Sequence, residues 1–280
     1  MAKKEGTQRK TSSKKQNKKS RKKKKQVKIS IWFVIAALLV LVGLVCLPYM
    51  KNGRPDRTGA RVPPGAFSYG IDISHYQDRI EWDSLMVMTD SKGRTINSIT
   101  HAKEVRPVSY VLIKSTEGVS MKDRMFDIHW KEAERKNIRR GAYHFFRSSK
   151  DPLLQARNFI EATGNLRYKD LPPVLDIETI HKGCSKKELN EKALKWLRKV
   201  ESHYGRKPIV YSGASFIEDI LCDEIKSCYP IWVAHYGTER PACSEWDIWQ
   251  FTDKAVVHGI RGHVDLSVCP PEVLENLQKQ

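Results

Sequence analysis

A regular alternation of strand-like and helix-like segments between residues 69 and 269 limits this chain to a small number of folds. Short apolar runs typical of strands occur at 69–74, 108–114, 141–146, 171–178, 208–213, 231–234, 248–251 and 264–268. Strands that alternate with helices form parallel sheets, so the pattern predicts an α/β protein with an irregular (β/α) barrel. Little room remains for helices between the last runs, and the helical ring is therefore expected to be incomplete. An open doubly wound sheet is the alternative, but no glycine-rich phosphate loop follows any strand.

Local signals define boundaries within this alternation. Ser185 with Glu188 three residues later is a capping box that predicts the start of a helix, and Gly205 predicts its end. Residues 80–88 are predicted to be helical. Residues 89–107, rich in turn-forming residues, are predicted to form a loop or hairpin.

The N-terminal part of the chain has a composition of its own. Residues 1–30 carry 14 of the 50 lysines and arginines and a single acid, so the high isoelectric point belongs to a tail and does not indicate a nucleic-acid partner. Residues 31–50 contain a 17-residue uncharged apolar run, near the lower length limit of a membrane span. The polar residues 51–68, rich in glycine and proline, predict a linker to a folded domain at 69–280.

The basic tail precedes the apolar segment. The positive-inside rule then predicts a single-pass membrane protein with a cytoplasmic N-terminus and an exported domain. A cleaved signal peptide is the competing interpretation. It is disfavoured because the basic region before the apolar run is unusually long and no clear small-x-small cleavage site follows.

Five of the six cysteines lie in the second half of the predicted exported domain: Cys184, Cys222, Cys228, Cys243 and Cys269. Because an exported compartment permits disulfides, we expect one or two disulfides and one free thiol. No Cys-x-x-Cys spacing occurs, so a structural zinc site is not expected.

The run at 171–178 ends in two acids separated by one residue. Side chains alternate across a strand, so Asp176 and Glu178 are expected on the same face. Two neighbouring acids in a partly buried site have separated pKa values, one raised and one ordinary, as acid catalysis near neutral pH requires. Because an Asp-x-Glu triplet is common, two solvated acids at a strand end are the alternative interpretation.

The carboxyl ends of parallel barrel strands converge on one face, and that face carries the chemistry. The residues at or beside those ends are Asp72, His144, Asp176, Glu178, Tyr211, Trp232, Gln250 and Asp265. Acids, aromatic rings and an amide together suit a sugar, whose faces stack on rings and whose hydroxyls need fixed polar partners. The Gly-x-Ser-x-Gly and His-Glu-x-x-His motifs are absent, which disfavours serine hydrolases and zincins.

Eight short motifs together resemble those of the family 25 glycoside hydrolases, which are lysozymes that cleave peptidoglycan. They are Gly70-Ile-Asp-Ile-Ser-His-Tyr-Gln, Ile113-Lys-Ser-Thr-Glu-Gly, Gly141-Ala-Tyr-His-Phe, Val174-Leu-Asp-Ile-Glu, Ile209-Val-Tyr-Ser, Ile231-Trp-Val-Ala, Ile248-Trp-Gln-Phe and Val264-Asp. The resemblance implies an N-acetylmuramidase acting on the β-1,4 bond between N-acetylmuramic acid and N-acetylglucosamine. It also implies no metal or other cofactor, and a monomer is expected.

The resemblance also assigns roles. By position, Glu178 matches the general acid and Asp176 its partner, expected to stay ionised, while Asp72 and Asp265 match two further carboxylates of the site. The residues expected to bind substrate are Tyr143, His144, Tyr211, Trp232 and Gln250. For Trp232 a core position is the alternative, and for His144 a role in bracing carboxylates.

Two other functions are compatible with parts of the pattern. A chitinase-like hydrolase would carry an Asp-x-x-Asp-x-Asp-x-Glu run, of which residues 171–178 keep only the final acids. A membrane-tethered glycan-binding module without catalysis would have no need of all four acids.

Overall fold

The computed structural model of the protein describes residues 58–243 and 245–279. Twelve strands are present in this part: β1 Thr58–Arg61, β2 Ser68–Ile73, β3 Met86–Thr89, β4 Arg94–Ile96, β5 Glu104–Glu117, β6 Met121–Lys122, β7 Arg139–Phe145, β8 Val174–Asp176, β9 Ile209–Gly213, β10 Ile231–Ala234, β11 Ile248–Ala255 and β12 Val264–Cys269. The α-helices are α1 Phe126–Arg135, α2 Pro152–Thr163, α3 Lys186–Tyr204, α4 Ala214–Asp219, α5 Asp223–Cys228 and α6 Pro271–Lys279.

Eight of the strands close into a barrel. Strands β2, β5, β7, β8, β9, β10 and β11 pair in that order and in parallel. Strand β12 completes the barrel by pairing antiparallel with both β11 and β2. The expectation of a wholly parallel barrel is therefore wrong at this last strand. Only residues 256–263 connect β11 to β12, and such a short connection cannot make the crossover that a parallel pair needs.

The helices cover only part of the barrel. α1, α2 and α3 fill the connections from β5 to β7, β7 to β8 and β8 to β9, and the shorter α4 and α5 lie between β9 and β10. Within the described residues no helix lies between β10 and β12. The prediction of an incomplete helical ring is confirmed.

A small antiparallel sheet replaces a helix between β2 and β5. Its strands lie in the order β1-β4-β3-β5, and the first residues of β5 form its last strand. The helix predicted at 80–88 is wrong: a single 3-10 turn, Trp82–Ser84, leads directly into β3. Pairing of Met86 with Pro107 and burial of Val87 and Met88 outweigh the local helical pattern.

This sheet includes part of the predicted linker. Strand β1 lies within residues 51–68 and pairs with β4, and the Thr95 hydroxyl accepts a hydrogen bond of 2.9 Å from the backbone N–H of Val256. The folded domain therefore begins before residue 69. We refer to β1, β3, β4 and the first four residues of β5 as the flank sheet.

Apolar side chains form two layers, one on each side of the barrel wall. The outer layer packs the strands against the helices and includes Trp196 and Phe159. The inner layer fills the barrel with residues such as Tyr110, Leu112 and Trp232, and α6 packs against it. α6 covers the end of the barrel where β2 begins and β12 ends. The opposite end, where β5 to β11 have their carboxyl ends, is the open one.

The helix boundaries predicted from capping signals are confirmed for α3. The Ser185 hydroxyl accepts a hydrogen bond from the backbone N–H of Glu188, and the Glu188 carboxylate accepts one of 2.8 Å from the N–H of Ser185. Gly205 ends the helix at φ 67°, a left-handed conformation that favours glycine.

The expected disulfide is wrong. Cys184, Cys222, Cys228, Cys243 and Cys269 are all free thiols. Cys269 lies in the inner layer and Cys243 in the outer one, so the barrel wall separates these two.

No helix within the described residues is long and apolar enough to cross a membrane. The predicted span at 31–50 and the basic tail at 1–30 lie outside the described residues.

The barrel interior predicts the effect of one substitution. A Cβ atom added at Gly70 would collide with the ring of Tyr110, which is fully buried. We expect Gly70→Ala to lower the free energy of unfolding by about 1–3 kcal/mol through overpacking, measured by chemical denaturation.

A double-mutant cycle tests the cause. Tyr110→Leu removes the ring that the new methyl group meets, so Gly70→Ala should be less destabilising in that background than in the parent protein. Additive effects of the two substitutions would contradict the collision.

Candidate active site

The inward positions at the open end of the barrel bring six of the predicted side chains together. Alternation along each strand points one residue inward and the next into the outer layer. The inward residues nearest the opening are Asp72, Tyr143, Asp176, Tyr211, Gln250 and Asp265, whereas their neighbours Ile71, Leu175, Val210, Trp249 and Leu266 belong to the outer layer. Glu178 follows β8 by two residues and lies exposed at the rim.

Asp72 and Asp265 form a pair across the closure of the barrel. They are direct partners in the β2–β12 register, and their carboxyl groups are hydrogen-bonded to each other. Asp265 thus lies near the start of an antiparallel strand and not at a strand exit as predicted; reversal of β12 brings it to the same end of the barrel. Burial and the charge of Asp265 raise the pKa of Asp72, and burial also raises that of Asp265. The pair therefore shares a proton more readily than two separate acids would.

Gln250 fixes the orientation of Asp72. Its Nε2 donates to Asp72 Oδ2 at 2.9 Å, and its Oε1 accepts from the hydroxyls of Tyr211 at 2.8 Å and Tyr236 at 2.5 Å. Both ends of the amide are satisfied, so its direction is set by the network. Tyr236 was not among the residues predicted from the sequence. This residue lies in the loop after β10, and an aromatic residue just beyond a strand end was its only signal.

Asp176 and Glu178 differ strongly in environment. Asp176 is only 5 % exposed, and one of its oxygens, Oδ1, has no hydrogen-bond partner within the described residues, whereas Glu178 is exposed. Burial, followed by the charge of Glu178 and a hydrogen bond with it, raises the pKa of Asp176 well above its ordinary value. This direction disfavours the ionised form that was expected for Asp176. Asp176 is the last residue of β8, and its side chain is buried within the barrel. Glu178 lies two residues beyond the end of the strand, where its side chain is exposed.

A cation lies near these acids. Lys114, on an inward position of β5, has its Nζ 2.7 Å from Glu117 Oε2 and 4.9 Å from the centre of the Phe145 ring. Its charge lowers the pKa of Asp176, but less than burial raises it. The site as a whole is acidic and only partly neutralised.

The structure removes two residues from the predicted substrate-binding set. His144 points outward and is fully buried: Nδ1 lies 2.8 Å from the Thr116 hydroxyl, Nε2 lies 3.2 Å from Gln155 Oε1, and the ring stacks on Trp196. Burial lowers the pKa of His144 to about 3. His144 follows the inward Tyr143 by one residue, so its side chain lies on the outer side of the barrel wall, away from the site.

Trp232 points inward but lies too deep to meet a sugar. It is 2 % exposed, its Nε1 donates to the Ser267 hydroxyl at 3.1 Å, and the Tyr211 ring covers it with centroids 4.3 Å apart. It is a core residue that supports Tyr211. Of the predicted set, Tyr143, Tyr211 and Gln250 remain at the site.

Within the described residues, no group of three or more His, Cys, Asp or Glu side chains has an arrangement that could hold a metal ion.

Comparisons with known proteins give a consistent result. Residues 71–260 match the sequence profile of the family described as glycosyl hydrolases family 25. The chain is 37 % identical over 218 residues to the uncharacterized protein YegX of Escherichia coli K12, with 77 % of this chain and 74 % of that protein covered. It is 29 % identical over 210 residues to lysozyme M1 of Streptomyces globisporus, covering 70 % and 65 %. The crystal structure of the bacterial lysozyme from Streptomyces coelicolor superposes with a TM-score of 0.64 at 27 % identity, covering 77 % of this chain and 99 % of that one.

The raised pKa of Asp176 predicts a dependence of stability on pH. The folded state holds this proton more tightly than the unfolded chain does, so folding stability falls as pH rises above the ordinary carboxyl value towards the raised one. Asp176→Asn removes this loss. We expect the variant to be more stable than the parent at pH 7, with the difference shrinking as the pH is lowered to about 3.

The measurement is the free energy of unfolding of both proteins across this pH range. Asp219→Asn, at an exposed position on α4, controls for loss of one negative charge and should show no such trend. A difference that is the same at both ends of the range would contradict the interpretation.

Proposed function

The chain belongs to glycosyl hydrolase family 25, and from that membership we propose that it cleaves the β-1,4 bond between N-acetylmuramic acid and N-acetylglucosamine in peptidoglycan. It is a glycoside hydrolase of the lysozyme type, and the family supports peptidoglycan as its substrate. The observation that carries the finer proposal is the hydrogen-bonded pair of one buried and one exposed carboxyl group, Asp176 and Glu178, at the open end of the barrel.

We propose Glu178 as the general acid. Its exposed position on the rim lets it reach the glycosidic oxygen, which the buried Asp176 cannot. In this role Glu178 donates a proton to the glycosidic oxygen as the bond breaks.

The second role of Asp176 follows from its unpartnered oxygen. In its ionised form, its carboxylate can accept a hydrogen bond from the substrate acetamide N–H at Oδ1. The oriented acetamide, or the carboxylate itself, then stabilises the positive charge that develops on the sugar ring.

The remaining carboxyl pair is proposed to bind sugar hydroxyls or the attacking water. Asp72 and Asp265 are held in place by each other and by Gln250, whose amide is in turn held by Tyr211 and Tyr236. A rigid acceptor site of this kind lowers the reorganisation needed in the transition state. Tyr143 lies among the same acids, whose charges add to burial in raising the pKa of its hydroxyl.

A glycan-binding module without catalysis is the alternative. Binding alone gives no reason to retain acids whose buried, ionised forms destabilise the fold. The clustering of all four predicted acids at one opening therefore favours hydrolysis.

For the location of the domain we propose an exported site on a membrane tether. The support comes from the sequence: 14 basic residues in the first 30, then an uncharged segment within residues 31–50. The glycan strands of the wall are then the partner that the anchored domain meets.

The general-acid proposal predicts the effect of one isosteric change. Glu178→Gln keeps size and hydrogen bonding but cannot transfer a proton. We expect turnover on purified peptidoglycan to fall on the order of 10²-fold or more, while folding and glycan binding are largely retained.

The assay also identifies the bond. Reduction of the new ends with borohydride should label muramic acid, since cleavage on that side leaves its anomeric carbon free. Glu161→Gln, at an exposed position on α2, is the matched control and should retain parental turnover. A folded Glu178→Gln protein with near-parental turnover would exclude Glu178 as the acid, and labelled glucosamine ends would exclude the proposed bond.

The topology proposal predicts the behaviour of a fusion. A reporter enzyme that is active only outside the cytoplasm should be active when fused after Gln280, because the basic tail retains the N-terminus inside. The same reporter fused after Ser30 should be inactive. Activity of the second fusion alone would reverse the proposed orientation.

A further inference from the structure

A long groove lies on the side of the barrel beside the flank sheet. Its volume is about 1760 Å³. Residues 59–65 and 89–93 of the flank sheet and its connections form one wall, and residues 236–240 and 251–254, from the β10–β11 loop and β11, form the other. The groove exists because the chain has an antiparallel sheet between β2 and β5 in place of a helix.

One end of this groove reaches the candidate active site. Tyr236 lines the groove and donates to Gln250, which holds Asp72. Asp253 also lines it, and the charge of Asp253 contributes to the raised pKa of both Tyr236 and Asp265. A ligand that extends from Asp72 past Gln250 and Tyr236 would therefore reach the groove.

The exposed lining of the groove carries five basic and three acidic residues, the acids being Glu104, Glu239 and Asp253. Its exposed basic residues are Arg61, Lys92, Lys103, Arg240 and Lys254. In the part of the chain that the structure describes, the side chains of Lys103, Arg240 and Lys254 form no ion pair. Of the lining acids, Asp90 and Glu104 are paired with arginines, and Glu239 and Asp253 form no ion pair among the described residues. These three free cations can bind carboxylates.

The aromatic residues of the groove do not suit a sugar. Tyr69, Trp249 and Phe251 are 3 %, 2 % and 5 % exposed, so they form the floor without offering a ring face. Tyr236, at the active-site end, is the exposed aromatic residue of the described lining. An extended ligand with several carboxylates fits this surface better than a continued glycan.

We propose that the groove binds the peptide stem of peptidoglycan. The stem is joined to the lactyl group of muramic acid, the sugar whose bond the proposed activity cleaves, and it carries free carboxylates along its length. It therefore leaves the active site beside the scissile bond and reaches Lys103, Arg240 and Lys254 through its acidic groups. The inference rests on the proposed function for its substrate, and it adds that the enzyme distinguishes peptide-bearing strands from bare ones.

The test compares two ligands with the full chain. Soluble glycan strands are prepared with intact stems and, after amidase treatment, without them. The variant Lys103→Gln/Arg240→Gln/Lys254→Gln removes the three charges at exposed positions and leaves a polar, uncharged side chain at each. We expect its dissociation constant and KM for stem-bearing strands to rise on the order of 10-fold, with kcat unchanged, since each exposed ion pair contributes modestly. Its values for bare strands should equal those of the parent.

A matched control separates local contacts from total charge. Lys131→Gln/Lys195→Gln/Lys199→Gln removes three exposed lysines from α1 and α3 and should leave both ligands unaffected. If the groove variant binds stem-bearing strands as tightly as the parent does, or if both triple variants weaken binding equally, the peptide-stem proposal is overturned. A parent protein that binds stems through these cations but cleaves neither ligand would support the groove and overturn the proposed hydrolysis instead.

Discussion

Closure of the barrel by an antiparallel strand is the constraint on which the rest of the site depends. Strand β12 joins β11 to β2 and places Asp265 directly opposite Asp72, residues at opposite ends of the folded domain. The short connection before β12 forces the reversal, because a parallel return would need a longer crossover. Without the reversal, Asp265 would lie at the far end of the barrel, away from the other acids.

The burial of acids in this arrangement lowers the stability of the folded state. Burial raises the pKa values of Asp72, Asp176 and Asp265, so their ionised forms destabilise the folded state. The fold tolerates them because each is held: Asp72 by Asp265 and Gln250, and Asp176 by Glu178. A buried carboxyl group with a raised pKa beside an exposed one is a difference in environment that acid catalysis can use.

The flank sheet links the fold to the proposed specificity. It occupies the connection between β2 and β5, and its strand β1 also packs beside β11. Tyr236 lines the groove beside this sheet. Its hydroxyl group also belongs to the hydrogen-bond network that holds Asp72. A substrate in the groove would therefore contact the same network that orients Asp72.

Local periodicity and short motifs were enough to predict the parallel strands, the capping of α3 and the four acids that the structure brings to one end of the barrel. Tertiary structure decided the rest. The pairing edge offered by β5 converted the predicted helix at 80–88 into β3, and the wall of the barrel separated Cys269 from Cys243. Alternation across the wall turned His144 outward and buried Trp232 beneath Tyr211, while a loop brought Tyr236 to Gln250. Depth within the barrel placed the raised pKa on Asp176, since burial depends on where a strand ends relative to its neighbours and not on the residues of that strand alone.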